Sequence, residues 1–371
     1  MRIGIQAIAL QGADDFRKAG IARYAYCIID ELLRIGDEHE FRIFVSPDFD
    51  PPKEWTSRPN VKIHRRWKRQ RLWMVMVGGI AAKLWGLKVW FSVANEMPPL
   101  GFVKRVIFMH DLFPLRRPEF YHDEELQFYR SNFTFCCQNA DLILTNSKST
   151  KRDIMEMFGT GDERIRVTYL GPGNLVERLE SVTSSQVRGT GVQFERFLFP
   201  LGTLEPRKNL SALIEAFAQV QDPTVGLVIG GGRGWKEGPI FDRVRELGLE
   251  DRVQFLGYVA DEDLPILFAA CEAFVYPSID EGFGIPVLEA MLLGAPVLSS
   301  NAGALSEVGG ECVRYFDPND ASGMATLINM ALSRPEERPV WVNKGLQQAS
   351  KFSWRRCADE TLSALVALAG K

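Results

Sequence analysis

Short apolar runs alternate with helix-spaced apolar positions along the first part of the chain. Residues 20–36 carry apolar side chains three and four positions apart, which places them on one face of a helix that ends at Gly36. Runs typical of buried strands lie between such patterns, at residues 1–8, 41–45, 61–64, 89–93, 103–109, 142–145 and 165–169. Alternating strands and helices predict a parallel sheet covered by helices on both faces.

This alternation stops near residue 170 and resumes after residue 195. We therefore predict a linker at 173–195 between an N-terminal domain, 1–172, and a C-terminal domain, 196–352. In the second domain the predicted strands are 197–201, 225–229, 253–256, 273–276, 297–299 and 313–316, and the predicted helices include 209–220, 237–247, 261–270, 285–293 and 321–332. The last residues, 353–371, are expected to form a helix that packs back on the first domain.

The expected fold class is α/β, with two Rossmann-like doubly wound domains that face each other across a cleft. Ligands are expected at the carboxyl ends of the strands, because doubly wound sheets bind them there.

Composition adds limits to this outline. A chain of 371 residues with 46% hydrophobic residues can form two substantial cores, and a net charge of −3 argues against nucleic acid as a partner. Six cysteines without a CxxC pair predict buried thiols in a reducing cytosol. Neither a signal peptide nor an apolar stretch of about 18 residues is found, so we expect a cytoplasmic protein.

Several common cofactor and metal sites are not predicted. The segment "VIGGGRGW" follows a strand, but Trp235 stands where the dinucleotide motif G-x-G-x-x-G needs its third glycine. The sequence has no G-x-x-x-x-G-K-[ST] motif and no zinc-type spacing of His and Cys. Asp48 and Asp50 lie in a proline-rich stretch typical of a solvated turn. We therefore expect no metal and no bound cofactor.

The segment "GTLEPRKNL", residues 202–210, has features of an anion site. A predicted strand ends just before it, Arg207 and Lys208 lie on the following turn, and Asn209 is predicted to cap the next helix. Unpaired N–H groups and the helix dipole both favour an anion at a helix start. Two solvated cations on a turn are the alternative, and this segment alone does not decide between them.

The segment "EGFGIPVLE", residues 281–289, places two carboxylates around a glycine-lined helix start. Gly282 and Gly284 give a ligand access to the backbone, and the first helical residues offer unpaired N–H groups that suit a phosphate. Carboxylates do not bind phosphate, so the natural partners of Glu281 and Glu289 are pairs of sugar hydroxyls. The predicted ligand therefore has one sugar on each side of a diphosphate, as a nucleotide sugar does.

Four segments follow one another along the chain: "HDLFPLRRPEFY" from His110, "GTLEPRKN" from Gly202, "FLGYVADEDLPILFAACEAFVYPS" from Phe255 and "EGFGIPVLE" from Glu281. Together, and in this order, they resemble the retaining GT-B glycosyltransferases of family 4, which include bacterial mannosyltransferases of polysaccharide assembly, sucrose synthase and phosphatidylinositol mannosyltransferase. The resemblance covers nearly the whole chain. It implies a nucleotide-sugar donor as co-substrate and no other cofactor.

The resemblance also implies roles for the residues of the second domain. Glu281 would hold hydroxyls of the transferred sugar, Glu289 would hold the ribose hydroxyls, and Lys208 with Arg207 would neutralise the diphosphate. The backbone lining the sugar and the phosphate would come from Gly282, Phe283, Gly284 and Ile285. The base of the nucleotide would lie near Tyr258, Val259 and Ser278.

Two residues of the first domain would complete that site. Gly20 would bring a loop against the diphosphate, and His110, at a strand end, would face the sugar and the reaction centre. Taken alone, His110 also fits a core histidine with satisfied hydrogen bonds, but its place in "FMHDLFPL" favours function.

The chain departs from the family's pattern at two positions. Thr203 stands where many relatives carry arginine, so Arg207 either takes that role or points into solvent. Ala19 precedes Gly20 where many relatives have two glycines, which leaves less freedom in that loop. The implied reaction is front-side attack, in which the leaving diphosphate accepts the acceptor's proton and no divalent metal is required.

The stretch from Arg65 to Trp73, "RRWKRQRLW", carries five cations in seven residues and leads into an apolar run at 72–82. One interpretation is peripheral contact with an anionic membrane, worth about 5 kcal/mol at most if each cation contributes about 1 kcal/mol. The other is a packed helix with one solvated basic face. Both stay open at this point.

The function expected from the sequence is transfer of a hexose, preferably α-mannose from GDP-mannose, to a glycan or lipid-linked acceptor. UDP-glucose, UDP-N-acetylglucosamine and dTDP-rhamnose fit the same scaffold as donors. Three other classes stay open: a nucleotide-sugar epimerase, a dehydrogenase and an inactive module that only binds the sugar nucleotide.

Overall fold

The chain divides into two compact units. Unit 1 consists of Met1–Gly171 and Ser353–Lys371, and unit 2 consists of Pro172–Phe352. The structure, a computed structural model, describes residues 1–11, 20–66, 70–99, 101–173, 179, 181–235 and 237–370, without the side chains of residues 70 and 71.

Unit 1 contains a seven-stranded parallel sheet. Strands β1–β7 are Arg2–Ala7, Glu40–Val45, Val61–Arg65, Val89–Ser92, Lys104–Met109, Leu142–Thr145 and Ile165–Val167. Helices α1–α7 are Gly20–Ile35, Lys53–Thr56, Gln70–Val75, Ala82–Leu84, Phe113–Arg116, Asp123–Asn139 and Lys148–Phe158, and a π-helical segment, Met76–Ala81, joins α3 to α4. The strand order is β3-β2-β1-β4-β5-β6-β7, so the order reverses between β1 and β4.

Unit 2 contains a six-stranded parallel sheet. Strands β8–β13 are Arg196–Phe199, Val225–Gly230, Val253–Gly257, Ala273–Tyr276, Val297–Ser300 and Arg314–Phe316. Helices α8–α15 are Ser184–Gly189, Leu210–Phe217, Gly238–Glu246, Leu264–Ala270, Ile285–Leu292, Leu305–Gly309, Ala321–Ser333 and Arg338–Ala349. The order β10-β9-β8-β11-β12-β13 reverses between β8 and β11. Helix α8 lies inside the predicted linker and is capped by the Thr183 side chain.

The apolar runs predicted the strands well. Every predicted strand is present with small shifts at its ends, and β4, β6, β11 and β12 are buried along their whole length. Central parallel strands are covered by helices on both faces, so their sequences are apolar throughout rather than alternating. The two doubly wound α/β units of the expected fold class are therefore confirmed.

The end of the chain belongs to unit 1. Helix α16, Trp354–Ala369, packs on α1, and the Trp354 ring lies 6.0 Å from the ring of Tyr24. Cys357 and Leu365 on α16 are fully buried. All six cysteines are buried and free. Among the described residues, no helix combines the length and the hydropathy that crossing a bilayer requires.

Candidate active site

The carboxyl ends of β8 and β11, which are neighbours in the sheet of unit 2, bring a set of polar side chains together. Some members lie in the loop after β8, on a 3₁₀ turn, Pro206–Lys208, and on the residue before it, and the others lie at the end of β11 and just beyond it. We call this set the Glu281 cluster. Its members are Glu205, Arg207, Lys208, Tyr276, Ser278 and Glu281.

Glu281 accepts hydrogen bonds on both carboxylate oxygens. Its Oε1 accepts from Lys208 Nζ at 2.6 Å, from the Tyr276 hydroxyl at 2.8 Å and from Ser278 Oγ at 2.8 Å. Its Oε2 accepts from the Arg207 guanidinium at 2.9 Å. These bonds orient a carboxylate that is only 9% exposed.

The neighbouring cations keep this buried carboxylate ionised. Burial by itself would raise the pKa of Glu281, but Arg207 and Lys208 outweigh that effect and lower the pKa to about 2. Burial, together with the adjacent Glu281, raises the pKa of Tyr276 well above its usual value. At neutral pH the phenol is therefore protonated and donates its hydrogen to a charged carboxylate.

The cluster leaves a few hydrogen-bonding positions open. A carboxylate offers about four lone-pair positions, and three bonds on Oε1 with one on Oε2 leave a position on Oε2 within the described part of the chain. The ammonium of Lys208 donates to Glu281 and, at 2.7 Å, to Tyr276, so one of its three N–H groups has no partner among the described residues.

The charges of the cluster balance. The Arg207 guanidinium also donates to Glu205 at 3.0 Å, and Glu205 accepts a further bond from the Trp235 indole at 3.2 Å. Two cations therefore meet two carboxylates, and Arg207 does not simply point into solvent. An anionic ligand here would depend on backbone N–H groups as well as on Lys208.

The start of α12 supplies such groups. Gly284 precedes the helix with φ 97°, a left-handed conformation that glycine adopts readily, and a Cβ there would lie 2.5 Å from Leu305 Cδ2. Gly282 and Ile285 are half-buried, while Phe283 is buried and packs on the ring of Phe352 at 5.8 Å. Pro286 has no N–H, and Val287 N donates to the Gly284 carbonyl. Within the described part of the chain, the N–H groups of Gly284 and Ile285 have no acceptor, so they can bind an anion.

Asn209 does not cap α9 in the predicted way. It precedes the helix, but its side chain makes no capping hydrogen bond, and its φ of 55° is left-handed. Its amide instead donates to the carbonyls of Pro277 at 3.1 Å and Pro318 at 2.8 Å. The capping prediction is therefore wrong, because two distant carbonyls compete successfully for the amide. Asn209 ties the loop after β8 to the loops after β11 and β13.

Glu289, the second carboxylate of "EGFGIPVLE", lies on α12 and is 2% exposed. Its Oε1 accepts a hydrogen bond from the backbone N–H of Gly173 at 3.1 Å. It is thus placed beside the chain that enters unit 2. Its binding of ribose stays a prediction.

The expected base-binding residues lie in two places. Ser278 is fully buried and belongs to the Glu281 cluster, whereas Tyr258 is 60% exposed beyond the end of β10. Val259 lies close to Gly230 at the end of β9, and Thr203 is exposed in the loop after β8. Binding of the base by Tyr258, Val259 and Ser278 stays a prediction, as does the place of Thr203 on the donor side.

Unit 1 holds the other two predicted residues. Gly20 is the exposed first residue of α1. His110 follows β5, is 8% exposed, and its Nε2 lies 2.9 Å from the Val93 carbonyl, which can only accept. Burial lowers the pKa of His110 although this hydrogen bond opposes the shift. At neutral pH the ring is therefore uncharged and carries its proton on Nε2.

The glycine-rich segment "VIGGGRGW" has a structural explanation. The loops after β8 and β9 run side by side, with hydrogen bonds from Gly202 N to Gly230 O and from Leu204 N to Gly232 O. A Cβ on Gly231, whose φ is 144°, would lie 1.9 Å from the Gly202 carbonyl oxygen. The close approach of two backbones requires glycine at this position, and binding of a dinucleotide is not needed to explain it.

Tyr276 is the member of the Glu281 cluster that sequence reasoning missed. It ends the apolar strand "AFVY" with the only side-chain hydroxyl of that strand. A hydroxyl at the carboxyl end of a buried central strand is the signal that could have identified it, because ligand sites of doubly wound sheets lie at that edge.

Comparison with known proteins gives two family matches. The profile described as "Glycosyl transferases group 1" matches residues 191–348, and "Glycosyltransferase Family 4" matches residues 19–171. O-antigen chain mannosyltransferase B of Escherichia coli is 30% identical over 362 residues, which cover 93% of this chain and 95% of the relative.

Solved structures have the same fold. Sucrose-phosphate synthase from Thermosynechococcus elongatus superposes with a TM-score of 0.77 at 20% identity, covering 99% of both chains. Anabaena HepE, solved in complex with UDP, superposes with a TM-score of 0.74 at 20% identity, again covering 99% of both chains.

Proposed function

This chain belongs to the family 4 glycosyltransferases and has their GT-B fold, and on that premise we propose that it transfers a hexose from a nucleotide sugar to a glycan or lipid-linked acceptor in polysaccharide assembly. Retention of the anomeric configuration and independence of metal are part of the proposal. Mannose from GDP-mannose is the preferred donor, supported by the E. coli mannosyltransferase. The UDP bound to HepE keeps UDP-sugars as candidates.

One observation carries the proposal. As far as the described residues show, Glu281 Oε2 has an open acceptor position, and Lys208, which binds the other oxygen of the same carboxylate, has an open N–H. A sugar hydroxyl suits the first and a phosphate oxygen suits the second. The transferred sugar and the diphosphate of a sugar nucleotide are adjacent, so one ligand satisfies both groups.

The proposed step needs no enzyme nucleophile. The acceptor hydroxyl oxygen bonds to the anomeric carbon on the face from which the diphosphate leaves, the bond from that carbon to the diphosphate oxygen breaks, and the hydroxyl proton passes to the diphosphate. Negative charge grows on the leaving group. Lys208 and the N–H groups of Gly284 and Ile285 at the start of α12 would stabilise it, which is the task that a divalent metal performs in other transferases.

A screen of sugar nucleotides followed by product analysis tests the proposal. A donor at 100 times its dissociation constant adds about 2.7 kcal/mol to the free energy of unfolding, so GDP-mannose, UDP-glucose, UDP-N-acetylglucosamine, dTDP-rhamnose and NAD can be ranked by thermal shift. NMR of the product formed in excess EDTA is expected to show an α-linked glycoside.

Three results would contradict the proposal. Turnover of the donor to an isomeric sugar nucleotide without acceptor would indicate an epimerase. Stabilisation by NAD alone would indicate a dehydrogenase. A donor that binds but stays intact with every acceptor would indicate a binding module.

We also propose that unit 1 contacts an anionic membrane through the exposed side of the segment that begins at Arg65. Trp73 is 1% exposed and packs on Phe44, with ring centroids 5.6 Å apart. Arg65 ends β3 and donates to the carbonyls of Pro47 and Phe49. These residues are structural. Residues 67–69 of the basic stretch lie outside the described residues.

The opposite side of the same segment is apolar and exposed. Leu72, Met76, Ile80 and Leu84 are 48%, 42%, 40% and 80% exposed. They recur every four residues across α3, the π-helical segment and α4, and we call them the apolar ridge. The sequence between Glu54 and Glu96 contains nine Lys or Arg residues and no Asp or Glu. An apolar ridge in a cationic segment matches an anionic bilayer surface.

Vesicle sedimentation tests this contact. Wild type is expected to sediment with phosphatidylglycerol-containing vesicles at low salt and not with pure phosphatidylcholine, because cations and apolar side chains both contribute. Met76→Gln/Leu84→Gln and Lys68→Gln/Arg69→Gln/Arg71→Gln are each expected to abolish sedimentation. Val340→Gln, at a 60% exposed apolar residue of unit 2, is the matched control. Equal sedimentation of all four proteins would reject the ridge as the contact.

A further inference from the structure

Unit 1 contains a second candidate ligand site, at the carboxyl ends of β1 and β4. These neighbouring strands flank the point where the strand order reverses, which is where doubly wound sheets bind ligands. A pocket of about 290 Å³ lies there. Residues after β1, residues after β4 and one side of α6 line it. We call it the β1–β4 pocket.

One wall of the pocket is aromatic. Phe128 and Tyr129 of α6 line it, with ring centroids 5.8 Å apart, and Phe128 is 61% exposed. An exposed ring beside polar groups offers a flat apolar surface to a ligand that has both kinds of surface. The C–H face of a pyranose is such a ligand surface.

The floor carries a donor and an acceptor that lack protein partners. The Gln6 amide oxygen accepts from Trp90 Nε1 and from Ser92 Oγ, both at 3.1 Å, which orients the side chain. Its NH₂ group meets no acceptor among the described residues, although Gln6 is only 4% exposed. Oδ1 of Asn95 is buried and also has no partner among those residues. Buried polar groups are nearly always paired, so the unpartnered Asn95 oxygen points to a ligand, and the Gln6 NH₂ group is a donor in the same pocket.

The backbone around Asn95 is held in place. Asn132 of α6 donates its side-chain amide to the Asn95 carbonyl oxygen. The Asn95 backbone is therefore fixed relative to the aromatic wall, which lies on the same helix as Asn132. Hydroxyl groups both donate and accept, so a polyol can satisfy Gln6 and Asn95 at once.

Size and charge narrow the ligand further. The pocket of about 290 Å³ holds roughly ten waters at about 30 Å³ each, which is room for one sugar ring and too little for a nucleotide. One cation and one anion, Arg66 and Glu96, line it, so no net charge favours a phosphate. A neutral sugar fits better than a lipid diphosphate or a nucleotide.

We propose that the β1–β4 pocket binds one hexose residue of the acceptor, with its C–H face on Phe128 and its hydroxyls on Gln6 and Asn95. That the bound hexose belongs to an acceptor rests on the proposed function. Phe128 and Asn95 are thus specificity residues that select a glycan end rather than a phosphate-bearing group.

Binding of a simple sugar to the full chain is the first test. Saturation-transfer NMR with methyl α-D-mannopyranoside and with an α-linked mannobiose is expected to show contact in wild type. Phe128→Ala and Asn95→Leu are expected to weaken that contact roughly tenfold, while Phe128→Tyr keeps the ring and retains binding. Met157→Ala, at a 43% exposed apolar residue of α7, is the matched control.

Kinetics with donor and acceptor is the second test. Phe128→Ala and Asn95→Leu are expected to raise the acceptor KM roughly tenfold and leave the calorimetric affinity for the donor within twofold of wild type. Unchanged acceptor KM and unchanged NMR contact in both variants would overturn the proposal, as would an equal loss of donor affinity. Failure of wild type to bind any sugar nucleotide would instead reject the proposed function, and the NMR experiment would still test the pocket.

Discussion

Glu281 is a buried carboxylate held between two cations, and its neighbours decide what it can do. Its Oε1 accepts three hydrogen bonds and its Oε2 accepts one, so the open acceptor position within the described part of the chain is on Oε2. A carboxylate fixed in this way can discriminate the position of a sugar hydroxyl, because it cannot rotate without losing several charge-assisted bonds.

Glu281 and Glu289 are expected to separate by role. Glu289→Gln should weaken the binding of a free nucleoside diphosphate and of the full donor equally, by about 1.5–3 kcal/mol. The reason is that both ligands share the ribose, to which the substitution weakens a charge-assisted hydrogen bond. Glu281→Gln should weaken the donor and slow transfer. The affinity for the free nucleoside diphosphate should stay the same or increase, because Arg207 and Lys208 lose their counter-charge.

Calorimetric titration of both variants with both ligands measures these four affinities. Equal weakening of both ligands by both substitutions, or no effect of either, would show that the carboxylates are structural.

Lys208 is expected to matter more for turnover than for donor binding. Lys208→Ala should raise the activation free energy of transfer by about 2–4 kcal/mol and so lower kcat roughly 30- to 1000-fold, because the diphosphate charge grows as the bond breaks. Arg207→Ala should cost less, since no open N–H of Arg207 is required by the proposed step. Steady-state kinetics on the two variants, with circular dichroism to check folding, decides the order. An unimpaired Lys208→Ala would remove the diphosphate site.

The ionised Glu281 is also expected to make stability depend on pH. Its pKa is about 2 in the fold and about 4.5 when exposed, so its stabilising charge is present above pH 4.5 and is lost as pH falls towards 2. Glu281→Gln should therefore be less stable than wild type at pH 7, and the difference should shrink between pH 4.5 and pH 3. Urea unfolding across this range measures it. A difference in unfolding free energy that stays constant across this pH range would contradict the lowered pKa of Glu281.

At the scale of elements, the loops at the carboxyl ends of β8, β9 and β11 are tied to one another. Asn209 links two of these loops, and glycines allow the backbones after β8 and β9 to touch. The Glu281 cluster is consequently supported by backbone contacts rather than by side chains alone. Gly303 extends this support, because a Cβ there would lie 2.3 Å from the Glu281 carbonyl oxygen.

Gly231 and Gly238 should respond differently to alanine. Gly231→Ala places a methyl group against the Gly202 carbonyl at a left-handed φ, so we expect a loss of at least about 1–3 kcal/mol. Gly238 begins α10 with no atom near its Cβ position, so Gly238→Ala should be neutral or stabilising by about 0.4–1 kcal/mol. Thermal unfolding compares the two variants. Equal effects of the two substitutions on stability would reject the close approach of the two backbones as the reason for glycine at position 231.

At the scale of the whole molecule, the chain crosses between units twice, and its last helix completes unit 1. Leu365 of α16 is fully buried, whereas the adjacent Val366 is 42% exposed. Leu365→Ala should cost about 2–5 kcal/mol because it leaves a cavity, and Val366→Ala should change stability by less than about 0.5 kcal/mol.

The location of that loss is testable. Calorimetry should assign the Leu365→Ala loss to a transition that sugar nucleotides do not shift, if unit 2 alone holds the nucleotide. A loss confined to the nucleotide-sensitive transition would contradict the assignment of α16 to unit 1.

Local pattern was enough to determine the elements of this protein. Apolar runs identified the strands, helix spacing identified α1 and α12, and the glycines around Glu281 identified the helix start beside it. These features follow from residues within a few positions of one another, where steric and hydrophobic preferences act. The family resemblance followed from short segments in order, and sequence relatives confirm it.

Only the tertiary structure decided how distant segments meet. Lys208 pairs with Glu281, 73 positions away, because β8 and β11 are neighbours in a sheet whose order reverses between them. The same adjacency turned Asn209 from a helix cap into a bridge between loops and gave Tyr276 a partner. In unit 1, the tertiary structure also showed which face of the segment around Trp73 is buried. Pairing across a sheet depends on chain topology, and no local preference of the residues encodes that.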